Sequence, residues 1–440
     1  MARTSQVASA RRGGLRTAPT EPTARQIEAA YAIAKERYAA IGVDTDRAVR
    51  AALAIPVSVQ CWQADDVRGL EAQAGALDSG GLQATGNYPG AARSGDDIRQ
   101  DFDQATAWIP GRLRFNLHAM YAETGGKRVE RDEITPRHFA RWVDWAADRK
   151  LGLDFNPTCF AHPMVKEGLT LSSDDRAVRG FWIRHCQACR QIARSMARRL
   201  GPCVTNIWIP DSRKDRTVDR WGPRRRLVEA LDEILARKLA GVVDAVESKL
   251  FGIGGEDYTV GSHEFYLGYA ATRKVAVCFD LGHFHPTESV ADKLSSALQF
   301  VERVLLHVSR GVRWDSDHVV VTTDEVNALC DEAVRGKALD RSLWALDYFD
   351  ASINRVGAWV IGARALRKAL LRALLEPWEL HRRAEHDGRG ADKLALLERR
   401  DEMPLGAVWD YACCRAGAPV GASWLRDLAA YEKKVLSRRA

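Results

Sequence analysis

The sequence predicts a (β/α)8 barrel followed by a helical extension. Eight short, nearly continuous apolar segments alternate with amphipathic helical patterns, and charged residues end the later segments. Such segments are typical of parallel strands covered on both faces, and eight strand–helix units favour a closed barrel over an open doubly wound sheet. The predicted strands are Pro56–Gln60, Leu113–His118, Gly152–Phe155, Val204–Ile209, Val243–Glu247, Val275–Asp280, Val304–Val308 and Leu343–Tyr348. The helical patterns between them include Arg137–Arg149, Arg220–Lys238, Asp292–Val301 and Asp324–Arg335.

The chain divides into three predicted parts. Residues 1–24 are expected to be a disordered leader, 25–355 the barrel, and 356–440 a helical extension for subunit contacts. The first 20 residues carry four arginines and no acidic residue. They lack the apolar segment of a secretory signal, although a transit peptide would share their Arg and Ser bias.

The composition excludes several classes of protein. With 46% hydrophobic and 28% charged residues, the chain is expected to be a soluble globular protein, and no apolar run is long enough to span a membrane. Basic clusters such as Arg224–Arg226 alternate with acidic residues at helical spacing, which favours solvated helix faces over a nucleic-acid surface. Cysteines are few and odd in number, nine in all, as expected of free thiols in a reducing cytoplasm. The CxxC motif Cys186–Cys189 has no second pair to close a zinc site, so we interpret it as structural rather than redox-active.

The late strands end on charged groups at regular intervals. Strand five ends on Glu247, and Asp280, His307 and Asp347 end the next three strands at spacings of 33, 27 and 40 residues. Each interval is about one strand–helix unit. Because the carboxyl ends of barrel strands converge on one face, these groups are expected to meet there. Helix capping by each acid would explain one or two of them but not the whole series. Further candidates close to these strand ends are Lys249, His283, Asp315 and Asp317.

The charges of this cluster predict bound cations. Five carboxylates face one lysine, and two divalent cations would supply the four positive charges that are missing. We expect one cation on Glu247, Asp280, His307 and Asp347, and a substrate-facing cation on the three remaining candidates His283, Asp315 and Asp317. Carboxylates with imidazoles and no thiolate favour Mn²⁺, Co²⁺ or Mg²⁺ over structural zinc.

Many motifs along the chain resemble the L-rhamnose isomerase family. The resemblance runs from about Gln26 to the C-terminus and is carried by Cys61–Gln63, Ala84–Gly90, Asn116–His118, Leu153–Pro157, Asn206–Asp211, Val246–Gly254, Asp280–Glu288, His307–Arg310, Arg313–His318 and Phe349–Arg355. It implies a xylose-isomerase-like TIM barrel that interconverts L-rhamnose and L-rhamnulose with Mn²⁺, as a cytoplasmic homotetramer. It also implies that His283, Asp315 and Asp317 hold the substrate-facing metal. The leader departs from the family pattern.

The chemistry of an aldose–ketose isomerase assigns roles to further residues. Hydrogen moves between C1 and C2, and cations that polarise the sugar oxygens would allow a direct hydride shift; an enediol intermediate with a protein base is the alternative. Lys249, Asp347 and His118 are the candidate catalytic residues for proton movement and substrate contact. Trp62 and Trp208 are expected to line the sugar pocket together with His118 and Lys249, with barrel packing as the alternative for each tryptophan.

Other interpretations remain open at this point. Two metals on a barrel also suit a phosphodiester hydrolase, which would need a more cationic site, while a non-catalytic sugar-binding barrel would need no metals. The glycine-rich stretch Gly69–Ser94 is either a mobile lid or an ordered wrap over a neighbouring subunit. Gly252, Gly254 and Gly255 lack the spacing of a dinucleotide-binding loop, so we expect no nucleotide cofactor.

Overall fold

The computed structural model describes residues 21–71, 86–249, 257–312 and 315–439, without the side chains of 315–317. The predicted leader up to residue 20, the middle of the glycine-rich stretch and the three glycines after strand five therefore lie outside the described residues.

Eight parallel strands form one sheet that curves into a nearly closed barrel. The strands are β1 (Val57–Gln60), β2 (Leu113–His118), β3 (Gly152–Asn156), β4 (Cys203–Ile207), β5 (Val242–Glu247), β6 (Ala276–Asp280), β7 (Val304–Val308) and β8 (Ser342–Leu346). Neighbouring strands follow the order β3-β2-β1-β8-β7-β6-β5-β4, so the first and last strands pair. The predicted barrel is confirmed, and each predicted strand lies within a few residues of an observed one.

Helices follow the strands around the barrel and continue beyond it. They are α1 (Ala24–Ala39), α2 (Thr45–Ala54), α3 (Gly95–Thr106), α4 (Ala140–Asp148), α5 (Arg176–Leu200), α6 (Trp221–Ile234), α7 (His263–Arg273), α8 (Val290–Ala297), α9 (Asp324–Arg335), α10 (Arg355–Leu374), α11 (Trp378–His386), α12 (Gly390–Arg399), α13 (Leu405–Arg415) and α14 (Trp424–Lys434). Several begin at a side chain whose oxygen accepts a hydrogen bond from the first turn, as Asp175 does for α5 and Asn354 for α10. No described helix is both long and apolar enough to cross a membrane.

The sheet closes between β3 and β4 through side chains. No backbone ladder joins these two strands among the described residues. Instead, the Asp154 carboxylate on β3 accepts a hydrogen bond from the Val204 amide at 2.8 Å, and the Asn156 side-chain oxygen accepts one from the Asn206 amide at 3.0 Å. These two bonds satisfy amides of β4 that a ladder would otherwise use.

Two apolar regions define the interior. The barrel axis is filled by mostly small side chains, a cluster of Val204, Ala245, Ala276, Cys278, Leu305 and Ala345. A separate core joins α1 and α2 to the end of α10 and to α13, where the Tyr31 and Tyr411 rings stack at 3.6 Å. The small residues on the axis leave space above them at the carboxyl ends of the strands.

Candidate active site

Four charged side chains from consecutive strands meet at the carboxyl end of the barrel. His307 on β7 lies at the centre: its Nδ1 is 3.2 Å from Glu247 Oε1, 3.0 Å from Asp347 Oδ2 and 3.9 Å from Asp280 Oδ2. One donor atom from each of the four lies within 4.8 Å of the others, close enough to hold one metal ion. The predicted convergence of these strand ends is confirmed.

Strand register and hydrogen bonds fix the four side chains. Asp280 and His307 are partners in the β6–β7 ladder. Asp280 Oδ1 accepts hydrogen bonds from the Ser309 hydroxyl at 2.8 Å and from the Gly282 amide at 2.7 Å. The Asn206 side-chain amide donates to Glu247 Oε2. The side chains of the cluster are therefore oriented by hydrogen bonds within the protein.

Burial and mutual repulsion shift the acid–base equilibria of the cluster. Burial raises the pKa of Asp280 to about 6, and the Glu247 and Asp347 carboxylates add to the rise against the opposing effect of His283. Burial would also raise the pKa of Glu247, but His307, His283 and Asn206 lower it below its usual value. Burial opposes a charged His307, yet Cys278, Glu247 and Asp347 raise its pKa well above the usual value. The cluster thus favours a positive charge at its centre.

Aromatic side chains form one wall of the cavity above the cluster. The cavity, about 560 Å³, is lined by Trp62, His118, Asn156, Pro157, Phe160, Asn206, Trp208, Glu247, Asp280, His283, His307, Asp347 and Phe349. Phe160 packs edge-on to Trp208 at 5.8 Å, and Phe349 packs edge-on to Trp62, also at 5.8 Å. One side of the cavity is therefore apolar and the opposite side ionic.

His118 lies between the aromatic wall and the cluster. Its ring stacks on Trp62 with centroids 4.1 Å apart, and Asn156 Nδ2 lies 3.4 Å from its Nε2. Its buried Nδ1 has no hydrogen-bond partner among the described residues. Burial, with a smaller effect of His307, lowers the pKa of His118 to about 3. The imidazole is thus neutral, and its Nδ1 is available to form a hydrogen bond with a ligand.

Lys249 lies two residues beyond Glu247, and its ammonium group binds oxygens of the segment that follows β4. Its Nζ donates to the Pro210 carbonyl at 3.0 Å and to the Ser212 hydroxyl at 2.7 Å. The residue is only 5% exposed. It is absent from the described lining of the cavity.

The second predicted metal group is described only in part. His283 Nδ1 lies 3.5 Å from Glu247 Oε1 and so reaches the first cluster. Asp315 and Asp317 lie on the strand Asp315–His318, which pairs antiparallel with Arg310–Val312. Their side chains lie outside the described residues.

The residues that the role assignments missed are mainly neutral. Asn156 and Asn206 line the cavity from the ends of β3 and β4, and Phe160 and Phe349 complete the aromatic wall. All of them occupy strand ends or the residues just after them, as the charged groups do. The position of the two asparagines at the ends of their strands could have identified them. The metal-site candidates were instead chosen because they are ionisable.

The turn after Trp62 has a strained backbone, and Arg355 holds this turn in place. Asp66 and Val67 adopt left-handed conformations, with φ of 62° and 60°, which is unfavourable for a β-branched residue. Arg355 at the start of α10 binds both Asp66 carboxylate oxygens, at 2.6 and 2.7 Å. The same guanidinium also donates to the Tyr88 carbonyl, so it ties Asp66 and Tyr88 to the start of α10.

The CxxC motif lies on α5 behind β3. Cys186 and Cys189 are buried free thiols, as are six of the other seven cysteines; only Cys414 is exposed. His185 next to them bridges two backbone groups: Nδ1 contacts the Arg131 carbonyl at 2.8 Å and Nε2 accepts from the Thr158 amide at 3.0 Å. These contacts agree with the structural interpretation of the motif.

Sequence comparison identifies close relatives along nearly the whole chain. A family model described as L-rhamnose isomerase (RhaA) matches residues 25–439. A protein of Klebsiella pneumoniae (strain 342) named L-rhamnose isomerase is 54% identical over 417 residues, which cover 94% of this chain and 99% of the relative. A Salmonella paratyphi A protein of the same name is 54% identical over 418 residues, with the same two coverages.

Comparison with solved structures gives more distant matches. One is a xylose isomerase-like TIM barrel protein from Mycobacterium smegmatis in complex with magnesium, with 12% sequence identity and a TM-score of 0.43. The match covers 73% of this chain and 99% of that protein.

Proposed function

The chain belongs to the L-rhamnose isomerase family, and from this premise we propose that it interconverts L-rhamnose and L-rhamnulose in the cavity above Glu247, Asp280, His307 and Asp347. The observation that carries the proposal is the convergence of three carboxylates and one imidazole at the carboxyl end of a barrel, beside an aromatic wall. The residues have the chemistry that an aldose–ketose isomerase requires.

The four-residue cluster fits a divalent cation. Three carboxylates share one imidazole in a buried site, and the buried Asp347 Oδ1 has no hydrogen-bond partner among the described residues. Oxygen-rich donor sets suit Mn²⁺, with Co²⁺ or Mg²⁺ as alternatives. A second cation on His283, Asp315 and Asp317 extends the proposal to two per subunit. Such cations supply Lewis-acid polarisation of the sugar oxygens.

The protein groups orient the sugar and move its protons. Trp62 and Trp208 offer apolar faces to the C–H surface and to the methyl group of a 6-deoxy sugar. The Asn156 side-chain amide donates to Nε2 of the neutral His118, so His118 Nδ1 carries the proton and donates a hydrogen bond to a sugar oxygen. Asp347, at the edge of the cluster with 19% of its side chain exposed, moves a proton between O1 and O2, and Lys249 stabilises the negative charge there.

The proposed hydrogen transfer runs directly from C2 to C1. No described cavity residue is left as a base at carbon, because the neutral His118 donates to the sugar through Nδ1 and the buried carboxylates are proposed as cation ligands. L-Rhamnose deuterated at C2 should therefore yield ketose that keeps the label at C1. Complete loss of the label to solvent would indicate an enediol instead.

The proposal includes the organisation of the chain. Residues 1–24 form a leader, 25–355 the catalytic barrel, and 356–440 an extension that contacts other subunits of a homotetramer. Exposed Leu380, Leu394 and Leu425 on that extension support the assignment. Buried free thiols suit a cytoplasmic enzyme.

A panel of aldoses tests the proposed function. The enzyme is stripped with EDTA, restored with Mn²⁺, and assayed for ketose. We expect L-rhamnose to be converted only after the metal is restored, and faster than other aldoses. No ketose from any aldose, or activity that survives complete metal removal, would contradict the proposal.

A further inference from the structure

Arg131 is a buried cation that binds the segment following β3. The residue is 3% exposed, and its guanidinium makes five hydrogen bonds, one for each of its N–H groups. Nε and Nη2 donate to the two carboxylate oxygens of Glu71, each at 2.9 Å. Nη1 donates to the carbonyls of Thr158, at 2.7 Å, and Phe160, and Nη2 also donates to that of Ala161 at 3.3 Å. Glu71 thus compensates the charge, and the remaining donors fix the chain from residue 158 to 161.

The segment that Arg131 binds carries part of the aromatic wall. Phe160 lines the cavity, and its ring lies 6.4 Å from Trp62 and 5.8 Å from Trp208 between centroids. The next residue, Ala161, has a left-handed backbone with φ of 48°, which is unfavourable for a residue with a Cβ atom. The carbonyls of Phe160 and Ala161 flank this strained torsion, and Arg131 binds both of them. Arg131 therefore stabilises a conformation that the local sequence disfavours, and with it the position of Phe160.

His185 joins Arg131 and Thr158 a second time. The Thr158 amide donates to His185 Nε2 at 3.0 Å, and His185 Nδ1 donates to the Arg131 carbonyl at 2.8 Å. The neutral ring accepts at one nitrogen and donates at the other, which fixes its tautomer. The segment after β3 is therefore tied to Arg131 through the guanidinium and, by way of His185, through the main chain as well.

We propose that Arg131 is a positioning residue that sets the specificity of the cavity for the group at C6 of the bound sugar. Arg131 is absent from the described lining of the cavity, so it acts through Phe160. A ring held in one place accepts the methyl group of a 6-deoxy sugar. The hydroxyl of a C6 hydroxymethyl group would instead lose hydrogen bonds to water against the same apolar wall. The inference rests on the proposed function for the identity of the sugar.

Binding of two alditols to the full-length, Mn²⁺-loaded protein tests the inference without turnover. L-Rhamnitol and L-mannitol differ only in carrying a methyl or a hydroxymethyl group at this position, and calorimetric titration gives the Kd of each. Wild type should prefer L-rhamnitol by about 30-fold, within the roughly 100-fold that an apolar pocket achieves against an added hydroxyl. Arg131→Met should reduce the preference to about threefold, because Phe160 is no longer held. Arg184→Met, at an exposed arginine that binds the neighbouring Asp132, is the matched control and should keep the wild-type preference.

Kinetics separate a positioning role from a merely structural one. The KM of Arg131→Met for L-rhamnose should rise by about tenfold while kcat falls by less than about threefold, since Phe160 is proposed to contact the sugar away from C1 and C2. A loss of folded protein alone would lower the apparent kcat and leave both KM and the alditol preference unchanged. That result would overturn the inference.

Arg131→Lys and Phe160→Ala cover the case in which Arg131→Met does not fold. Lysine keeps a cation for Glu71 but cannot bind all three carbonyls, so the preference should fall by about threefold. Phe160→Ala alone should remove most of the preference, and adding Arg131→Lys should then change the ratio by less than about 1.5-fold. No preference in wild type, or a wild-type preference retained by Arg131→Lys or by Phe160→Ala, would overturn the inference. If the preference falls as expected but no aldose yields ketose, the proposed function fails and the role of Arg131 stands.

Discussion

At the N-terminal end of the barrel two arginines each bind one carboxylate of their own, whereas at the C-terminal end three carboxylates share one imidazole. On the N-terminal side, the Arg114 fork binds Asp154 at 2.8 and 2.9 Å, and the Arg190 fork binds Asp244 at 2.7 and 2.8 Å. At the other end Glu247, Asp280 and Asp347 surround His307. The same barrel thus buries balanced charge at one end and unbalanced charge at the other.

Arg367, also at the N-terminal end of the barrel, is a buried cation whose partners among the described residues are backbone carbonyls rather than a carboxylate. It is 1% exposed and donates to the carbonyls of Ala52, Ile55 and Arg112 before β1 and β2. Burial lowers the pKa of its guanidinium, and three carbonyl oxygens compensate part of the lost hydration. This cation thus joins the segments that precede β1 and β2.

Cavity size alone does not identify the candidate site, because the larger opening lies at the other end of the barrel. A wider opening of about 1150 Å³ lies at the N-terminal end, between the starts of β5 and β6. The cavity at the catalytic end is about 560 Å³. The difference that matters is chemical, because charge compensation within the protein stabilises the fold, whereas uncompensated charge prepares a site for external cations.

Removing one carboxylate at the C-terminal end should give the largest effect. Glu247→Gln keeps the shape of the side chain but deprives the proposed cation of a ligand. We expect kcat with Mn²⁺ to fall by about 10³-fold, since the lost electrostatic stabilisation is worth several kcal/mol. Thermal unfolding of the metal-free variant should occur at a lower temperature than in wild type, because His307 and Asn206 stabilise the charged Glu247 in the folded state. Asp340→Asn, at an exposed acid, should change neither property.

Removing one partner at the N-terminal end should affect stability instead. Arg190→Met leaves Asp244 buried without its partner and also frees the carbonyls of Ile234 and Arg237. We expect a loss of about 3–5 kcal/mol in the free energy of unfolding, measured in urea. The double variant Arg190→Met/Asp244→Leu should recover a large part of that loss. A single variant as stable as wild type would remove the proposed role of this pair.

His185, which lies outside the candidate site, should make the free energy of unfolding depend on pH. Its neutral ring is held by Arg131 and Thr158, and Arg131, His162 and Cys189 are the ionisable groups facing it. Burial lowers the pKa of His185 to about 3, so the unfolded chain takes up the proton first as pH falls. Its contribution is fully present above about pH 6.5 and declines toward pH 3, by up to about 1.4 kcal/mol per pH unit.

His185→Gln isolates this contribution. Urea unfolding of the variant and of wild type should be compared between pH 7 and the lowest pH at which both fold reversibly. The wild type should lose more stability than the variant over that interval. Parallel pH profiles would show that His185 does not carry the effect.

Arg355→Lys should give the smallest effect, a small loss of stability together with a small rise in KM. Lysine cannot reproduce the two-pronged contact with Asp66, so the strained turn carrying Trp62 is held less firmly. We expect a loss of about 1–2 kcal/mol in stability and a rise in KM for the aldose of about threefold, with kcat changed less. Arg199→Lys, in an exposed ion pair with Asp144, is the control and should alter neither quantity. An equal fall in kcat and no change in KM would contradict a role in positioning the pocket wall.

The sequence predicted the elements whose physical signal is local. Apolar runs that end on Glu247, Asp280, His307 and Asp347 located β5 to β8 and the cluster, because barrel strands end on one face. The helix Asp324–Arg335 was located with both ends correct, since Thr323 supplies a clear cap.

The features that were not predicted depend on contacts between distant segments. The use of Asp154 and Asn156 to close the sheet at β4 follows from their distance to β4, which strand periodicity does not encode. Cys278 was grouped with the other eight cysteines as a free thiol, because only the ladder register brings it beside Glu247. Helices α1 and α2 were not predicted as helices, since they pack on α13, which comes from the far end of the chain.

Metal-linked stability tests the central contrast most directly. The melting temperature of EDTA-stripped protein should be followed as Mn²⁺ is added to wild type, Glu247→Gln and Arg190→Met. We expect wild type and Arg190→Met to be stabilised alike, by about 2.7 kcal/mol when Mn²⁺ reaches 100 times its Kd, while Glu247→Gln responds weakly. Melting temperatures that ignore Mn²⁺ in wild type, or an undiminished response in Glu247→Gln, would contradict the assignment of this charge cluster to a bound cation.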